Sequence, residues 1–237
     1  MTNKQRILVI GDVHGDWSAL NKLINVKQPE IILQCGDFGY WPRMQKSSRT
    51  IMTSQGERNI RAKAAGPKVP EGSVLYWCDG NHEDHHSLRD RETDELWPRT
   101  FYMPRGKVLT LPDGRTVMFA GGAASIDHNS RTYGIDWFPE EILTEKDVFA
   151  IAHEGPVDIM ISHTLPHEFD VLAGKPYGYM SDPSRLALSY LLDHHRPKQW
   201  FNGHWHMYMT GYAKKCQWTS LDRVRGSNGR CWQWLPK

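Results

Sequence analysis

Five short apolar runs in this chain end in residues that bind metals or move protons, and this repetition restricts the fold more than any other feature. Arg6–Ile10 runs into Asp12-Val13-His14, Glu30–Gln34 into Gly36-Asp37, and Ser73–Trp77 into Gly80-Asn81-His82. Val157–Ser162 runs into His163, and Lys198–Asn202 into Gly203-His204-Trp205-His206. Short apolar runs closed by glycine read as buried strands. Amphipathic stretches separate them. Asp16–Lys27 carries Trp17, Leu20, Leu23 and Ile24 at helical spacing; Met44–Ala65 and Pro183–His195 also read as helices, as does Pro139–His153, which opens on Pro139, Glu140 and Glu141. Strands alternating with helices imply an α/β fold with parallel strands, in which ligands sit beyond the carboxyl ends of the strands.

Two other segments have a different pattern. Lys107–Leu111 and Arg115–Ala120 flank Pro112-Asp113-Gly114, a hairpin signal, and the segment from Met207 alternates aromatics as hairpin strands do. At 237 residues and 39% hydrophobic, the chain suits one full-sized core, so we expect a single domain over residues 1–237. Nothing approaches the ~18 apolar residues of a membrane span, and Met1–Arg6 is too polar for a secretory signal, which points to a cytoplasmic protein. Cys35, Cys78, Cys216 and Cys231 form no C-x-x-C pair, and the first two read as buried thiols. The ten tryptophans point to an aromatic-rich core, in preference to a face that stacks on a ligand.

With 29 basic and 27 acidic residues, the net charge of +2 excludes a strongly basic nucleic-acid-coating protein and an acidic disordered tail. Basic residues gather in Arg43–Lys68 and in residues 211–237, as solvated faces or as a contact for a polyanion.

The residues after the five runs are Asp, His, Asp, Asn, His, His and His. Two divalent ions about 3.5–4 Å apart call for such a mixture of oxygen and nitrogen donors with a carboxylate between them. The D-x-H and H-x-H spacings have a simple reading, since residues i and i+2 of an extended segment face the same side.

In order, Gly11-Asp12-Val13-His14-Gly15, Gly36-Asp37, Gly80-Asn81-His82-Glu83, His163 and Gly203-His204-Trp205-His206 resemble the calcineurin-like metallophosphoesterase superfamily. The stretch Gly121–Asp127 with Arg131, Gly134, Trp137, Phe138, Pro139 and Glu140 is similar to a branch seen in bacteria and their phages. The resemblance implies a four-layer αββα sandwich with two mixed β-sheets. It also implies two divalent ions (Mn, Fe, Zn or Ni, with Mn favoured). Asp12, His14 and His206 would hold one ion and Asn81, His163 and His204 the other, with Asp37 bridging. His82 would stabilise the phosphoryl group and protonate the leaving oxygen, while a metal-bridging hydroxide attacks phosphorus in line.

One departure bears on substrate. The protein-phosphatase branch has Asp and Arg where this chain has Tyr40 and Trp41, so the bidentate guanidinium that suits a dianionic monoester is missing from that motif. The expected substrate is therefore a phosphodiester, such as a small or cyclic nucleotide. The alternatives are a serine/threonine protein phosphatase or a nuclease, and more remotely a non-catalytic module holding a phospho-ligand. Arg131 is a candidate phosphate contact or the partner of Asp127 or Asp136, and Tyr40 and Trp41 either stack on the substrate or pack. Glu83 is read as the cap of the following helix, with orienting His82 as the alternative, His85 and His86 as surface residues, and His194 and His195 as a helix end. His128, His153 and His167 are read as surface or supporting positions rather than ligands.

Overall fold

The computed structural model describes residues 6–45, 49–53, 56–60, 66–151, 153–171 and 182–236, with the backbone alone at 44–60. In chain order its elements are β1 (Ile7–Ile10), α1 (Trp17–Lys27), β2 (Ile31–Gln34), α2 (Pro42–Gln45), β3 (Arg49–Thr53), β4 (Gly56–Ile60), β5 (Val74–Trp77) and α3 (His85–Arg89). There follow β6 (Glu95–Trp97), β7 (Thr100–Tyr102), β8 (Val108–Thr110), β9 (Thr116–Ala120), α4 (Glu145–Phe149), β10 (Ile159–Ser162), α5 (Pro183–His195), β11 (Gln199–Asn202), β12 (Met209–Ala213), β13 (Cys216–Ser220) and β14 (Trp232–Trp234).

The strands form two six-stranded mixed sheets, β14-β1-β2-β5-β7-β6 and β12-β13-β11-β10-β9-β8, plus the separate β3-β4 hairpin. In each large sheet four parallel central strands are flanked by antiparallel edges, β14 and β6 in the first and β12 and β8 in the second. The parallel strands expected from the sequence are thus divided between two sheets.

Continuous apolar strands have two faces to bury, and that requirement builds the layers. Ile7 and Val9 of β1 with Ile31 and Leu33 of β2 meet Val117, Phe119, Ile159, Ile161 and Phe201 of the other sheet. The alternate residues Leu8, Ile10, Ile32, Leu75 and Trp77 pack instead beneath Leu20 and Ile24 of α1 and Leu88 of α3. On the far side, Met118, Met160, Trp200 and Trp218 lie beneath Ala187, Leu188, Leu191 and Leu192 of α5. The result is the αββα sandwich. Trp77 and Trp200 are fully buried, as an aromatic core requires, and Cys35 and Cys78 are buried free thiols. Among the described residues, no helix is long and apolar enough to cross a membrane.

Three elements differ from the sequence reading. The expected helix Met44–Ala65 is a single turn, α2, followed by the β3-β4 hairpin; the β-branched Thr50, Ile51 and Thr53 favour extended backbone. Residues 46–48, 54–55 and 61–65 of that expectation lie outside the described residues. The expected helix Pro139–His153 is a 3₁₀ turn, Pro139–Glu141, and the short α4. Thr144 and Asp147 form a capping box that restarts the helix, and Ile142 before it is extended. In the C-terminal segment, β12 and β13 form the expected hairpin, but β14 crosses to pair with β1 of the other sheet.

Candidate metal centre

The loops after β1, β2 and β5 of one sheet and β10 and β11 of the other meet at one edge of the sandwich. Their backbones turn sharply there. His14, Asp37, His204 and His206 all have left-handed φ, at 48°, 50°, 67° and 48°. Such angles are uncommon for residues with a Cβ, cost on the order of 1–3 kcal/mol each, and concentrate at functional sites. These turns aim the D-x-H and H-x-H side chains inward, which corrects the extended-segment reading of the spacing. Two glycines let the loops close: a Cβ on Gly80 would collide with Asp37, and one on Gly203 with Asp12. The neighbouring amides fix both carboxylates. His204 N–H donates to Asp12 at 3.0 Å and His82 N–H to Asp37 Oδ1 at 2.9 Å.

Two groups of donor atoms result. In the first, His206 Nε2 lies 2.9 Å from Asp12 Oδ2 and 3.0 Å from His14 Nε2, and His14 Nε2 lies 3.7 Å from Asp12 Oδ2. In the second, Asn81 Oδ1 lies 3.0 Å from His163 Nε2 and 3.1 Å from His204 Nδ1. Asp37 Oδ2 stands between the groups, 3.6 Å from His14 Nε2 and 3.3 Å from His163 Nε2. The Cys35 carbonyl, 2.9 Å from His163 Nδ1, turns the other ring nitrogen of that histidine toward the site.

Burial and charge oppose each other here. Burial would raise Asp37, but the charges of His163, His82 and His14 hold it well below the usual carboxylate range. Burial would raise Asp12 as well, but hydrogen bonds with His14 and His206 keep it low. Burial would lower His163, yet Asp37 and Asp12 hold it up at about 10. Burial together with His163 pushes His204 down to about 3.

The residues fit a pair of divalent cations. Ligand atoms bonded at ~2.1 Å to one ion stand about 3–3.5 Å apart, close to the 2.9–3.7 Å found within the two groups. Among the described residues, three groups of side chains each bring their donor atoms within 4.8 Å of one another: Asp12–His14–His206, Asp12–Asp37–His163, and His14–Asp37–His82. Cation binding should therefore stabilise the fold. At 100-fold excess over Kd, one site adds about 2.7 kcal/mol, which raises Tm by roughly 5–10 °C in a chain of this size. Calorimetry with manganese and then with chelator checks this, and an unchanged Tm would mean that the cluster takes no cation.

His82, with a side chain 35% exposed, stands at the rim with its ring edge-on to His14 and Nε2 3.9 Å from Asp37. Arg131 joins the site from a distant loop: one guanidinium nitrogen is 3.0 Å from His82 Nε2, and the same group pairs with Asp127 at 2.7 Å. Burial first, then Arg131, hold His82 below the usual histidine value despite the opposing charge of Asp37. Tyr40 packs against Trp77 and Trp97, while Trp41 covers Gly15 and donates its indole N–H to the His82 carbonyl. Arg43 pairs with Asp84; the side chains at 44–65, most of that basic stretch, lie outside the described residues.

Several expectations are corrected. Glu83 does not cap α3, a role taken by Asp84, which accepts from Ser87 N–H. Glu83 instead turns inward and accepts from Gly39 N–H and Gly80 N–H, tying the second and third loops together. Burial and the nearby Asp37 charge push it up to about 8. His85 is buried rather than on the surface; its Nε2 lies 3.0 Å from the Gly80 carbonyl, and burial pushes it down to about 4. His195 is buried at the end of α5 with Nδ1 2.7 Å from the Gly155 carbonyl, and burial lowers it, so it is no helix-end cation. Ser125 has no role in the sequence reading and Glu141 only that of an acidic residue in a helix first turn, yet both are buried, Ser125 bonded to Asn81 and Glu141 to Ser125. The only local signal was the Gly121–Asp127 stretch.

A comparison with curated proteins finds no match. Among solved structures, TT1561 of Thermus thermophilus is similar in fold, at TM-score 0.54 and 13% identity, covering 93% of this chain and 90% of that one. GAP50, the anchor in the inner membrane complex of Plasmodium, overlaps 96% of this chain and 76% of its own at TM-score 0.44 and 11% identity. The calcineurin-like phosphoesterase family model matches residues 5–208, a span that begins before β1 and ends beyond His206, the last of the clustered donors. The chain belongs to the calcineurin-like phosphoesterase family and is a metal-dependent phosphoesterase.

Proposed function

We propose that this enzyme hydrolyses phosphodiesters, with small or cyclic nucleotides as the substrate class. Asp12, His14 and His206 hold one cation, Asn81, His163 and His204 the other, and Asp37 serves both. When bound, the cations supply an activated water nucleophile and positive charge for the phosphoryl oxygens. The protein's own groups do the rest. His82, at the rim, carries the proton the leaving oxygen needs on Nε2 once Arg131, a donor that meets that nitrogen at 3.0 Å, turns to the phosphoryl group. Arg131 contacts a phosphoryl oxygen beside it.

The observation that carries the reading is the Arg131 guanidinium, 3.0 Å from His82 and already paired with Asp127. A cation half-neutralised in this way suits the single charge of a diester better than the two charges of a monoester. Ile126 and Tyr133, 59% and 62% exposed on the same loop, offer apolar surface to the second esterified group. The four cysteines are free thiols, in keeping with action in the cytoplasm.

A panel of bis-aryl and mono-aryl phosphates, cyclic nucleotides and single-stranded oligonucleotides, assayed with manganese, tests the proposal. Higher kcat/KM on the small diesters supports it; preference for the monoester, or for the oligonucleotide with steep salt dependence, overturns it. Arg131→Ala should lower kcat/KM by about 10–100-fold, the scale of one lost charge-assisted hydrogen bond, with Arg131→Lys recovering part of the loss.

A further inference from the structure

We propose that Ser125 and Glu141 decide which end of the Asn81 amide faces the metal centre. The inference rests on Asn81 being a ligand and explains how its oxygen is kept in place. An asparagine amide has an acceptor at one end and a donor at the other, and only the oxygen can hold a cation. The two ends have nearly the same shape, so packing alone chooses poorly between them. Asn81 Nδ2 donates to Ser125 Oγ at 2.9 Å, which leaves Oδ1 facing His163 and His204. A serine hydroxyl has one proton. Ser125 donates it to Glu141 Oε2 at 2.9 Å, while its own N–H donates to Glu141 Oε1 at 2.6 Å.

The direction of each bond follows from the one before. Burial raises Glu141 to about 7 while the N–H and hydroxyl of Ser125 oppose the rise; in its ionised form, which prevails above that pH, the carboxylate only accepts, so the Ser125 hydroxyl donates to Glu141 and has only lone pairs left for Asn81. Asn81 must then present its N–H₂ to Ser125 and its oxygen to the centre. All three residues are at most 4% exposed, so water does not interrupt the chain. Glu141 is itself anchored: Arg105 grips the carbonyls of Glu140, Glu141 and Ile142, and the Glu141 carbonyl accepts from Ala123 N–H at 3.0 Å. Ser125 and Glu141 are thus positioning residues, touching neither cation nor substrate.

Glu141→Gln tests the polarity with almost no change of shape. Ser125 N–H still needs an acceptor, so the new amide oxygen takes the place of Oε1 and its N–H₂ faces Ser125 Oγ. The hydroxyl then accepts from Gln and donates to Asn81, which draws the Asn81 oxygen away from the centre. In manganese titration calorimetry of the full chain, one equivalent should weaken by about 10–100-fold, the other should stay, and the spin-coupled two-manganese resonance signal should fade. Asn81→Asp has an oxygen at both ends and an added negative charge, so Asn81→Asp combined with Glu141→Gln should bind the affected equivalent at least as tightly as wild type, restoring what a merely structural loss would not.

Native affinity in Glu141→Gln, or no recovery in the double variant, overturns the proposal. Ser125→Ala supplies the same test if Glu141→Gln does not fold: a loss at the same equivalent is expected, and native affinity overturns the proposal. Asn81→Ala separates the two layers. Loss of the same equivalent in Asn81→Ala beside an unaffected Glu141→Gln defeats the relay alone, whereas two retained equivalents in Asn81→Ala defeat the ligand assignment and the relay with it.

Discussion

Replacing His82 by Ala is expected to cut turnover by about 10²–10⁴-fold, the usual contribution of a positioned acid, while bound metal stays nearly constant. The geometry separates these two outcomes. His82 Nε2 is 3.9 Å from Asp37, farther than His14 or His163, and its side chain is partly open to the outside. Metal analysis and steady-state kinetics on the same sample check the prediction, and metal loss in parallel with activity would make His82 a ligand instead. A second reading comes from pH. Arg131 lowers the proton affinity of His82. If the protonated ring gives up its proton to the leaving oxygen, activity falls as pH rises through its pKa. Arg131→Ala, which removes the nearby positive charge, should shift that fall to higher pH; a profile that stays in place would show that Arg131 does not set the protonation of His82.

Asp37→Asn should have a still broader effect, releasing metal and abolishing measurable turnover together. One carboxylate oxygen faces both donor groups, at 3.6 Å from His14 and 3.3 Å from His163, and the other is held by His82 N–H. An amide has one oxygen for these two duties. If it accepts from His82 N–H, its N–H₂ points at the cations; if it faces the cations, the backbone donor loses its partner. The buried negative charge that holds His163 high is lost in either case. Breaking a buried, charge-compensated site typically costs 3–5 kcal/mol, or roughly 10²–10³-fold or more in affinity. Retention of two metal equivalents in Asp37→Asn would remove Asp37 from between the ions.

Much of this site is legible in the sequence because its elements are local. An apolar run buried on both faces must be a strand, a glycine after it allows a tight turn, and the polar residue next to the glycine has nowhere to go but the strand end. Asp12, His14, Asp37, Asn81 and His204 follow from that rule, while His163, which follows Ser162 with no glycine beside it, and His206 follow from their place after a strand, all taken with the resemblance their order carries. The same logic misread Met44–Ala65 and Pro139–His153, where helical spacing competes with β-branched residues in one case and with a capping box in the other.

What the sequence by itself determined is therefore the inventory: the strands, the ligand types and the ends from which they project. The tertiary structure decided how that inventory is used. It divided the strands between two sheets, brought Arg131 to His82 across 49 residues, turned Glu83 inward to tie two loops, and buried His85. It also joined Asn81 to Ser125 across 44 residues and Ser125 to Glu141 across 16. The physical reason is range. Periodicity and capping are set by residues a few positions apart, whereas the direction of a hydrogen bond between distant loops depends on how two sheets pack and on which buried polar groups would otherwise be left without partners.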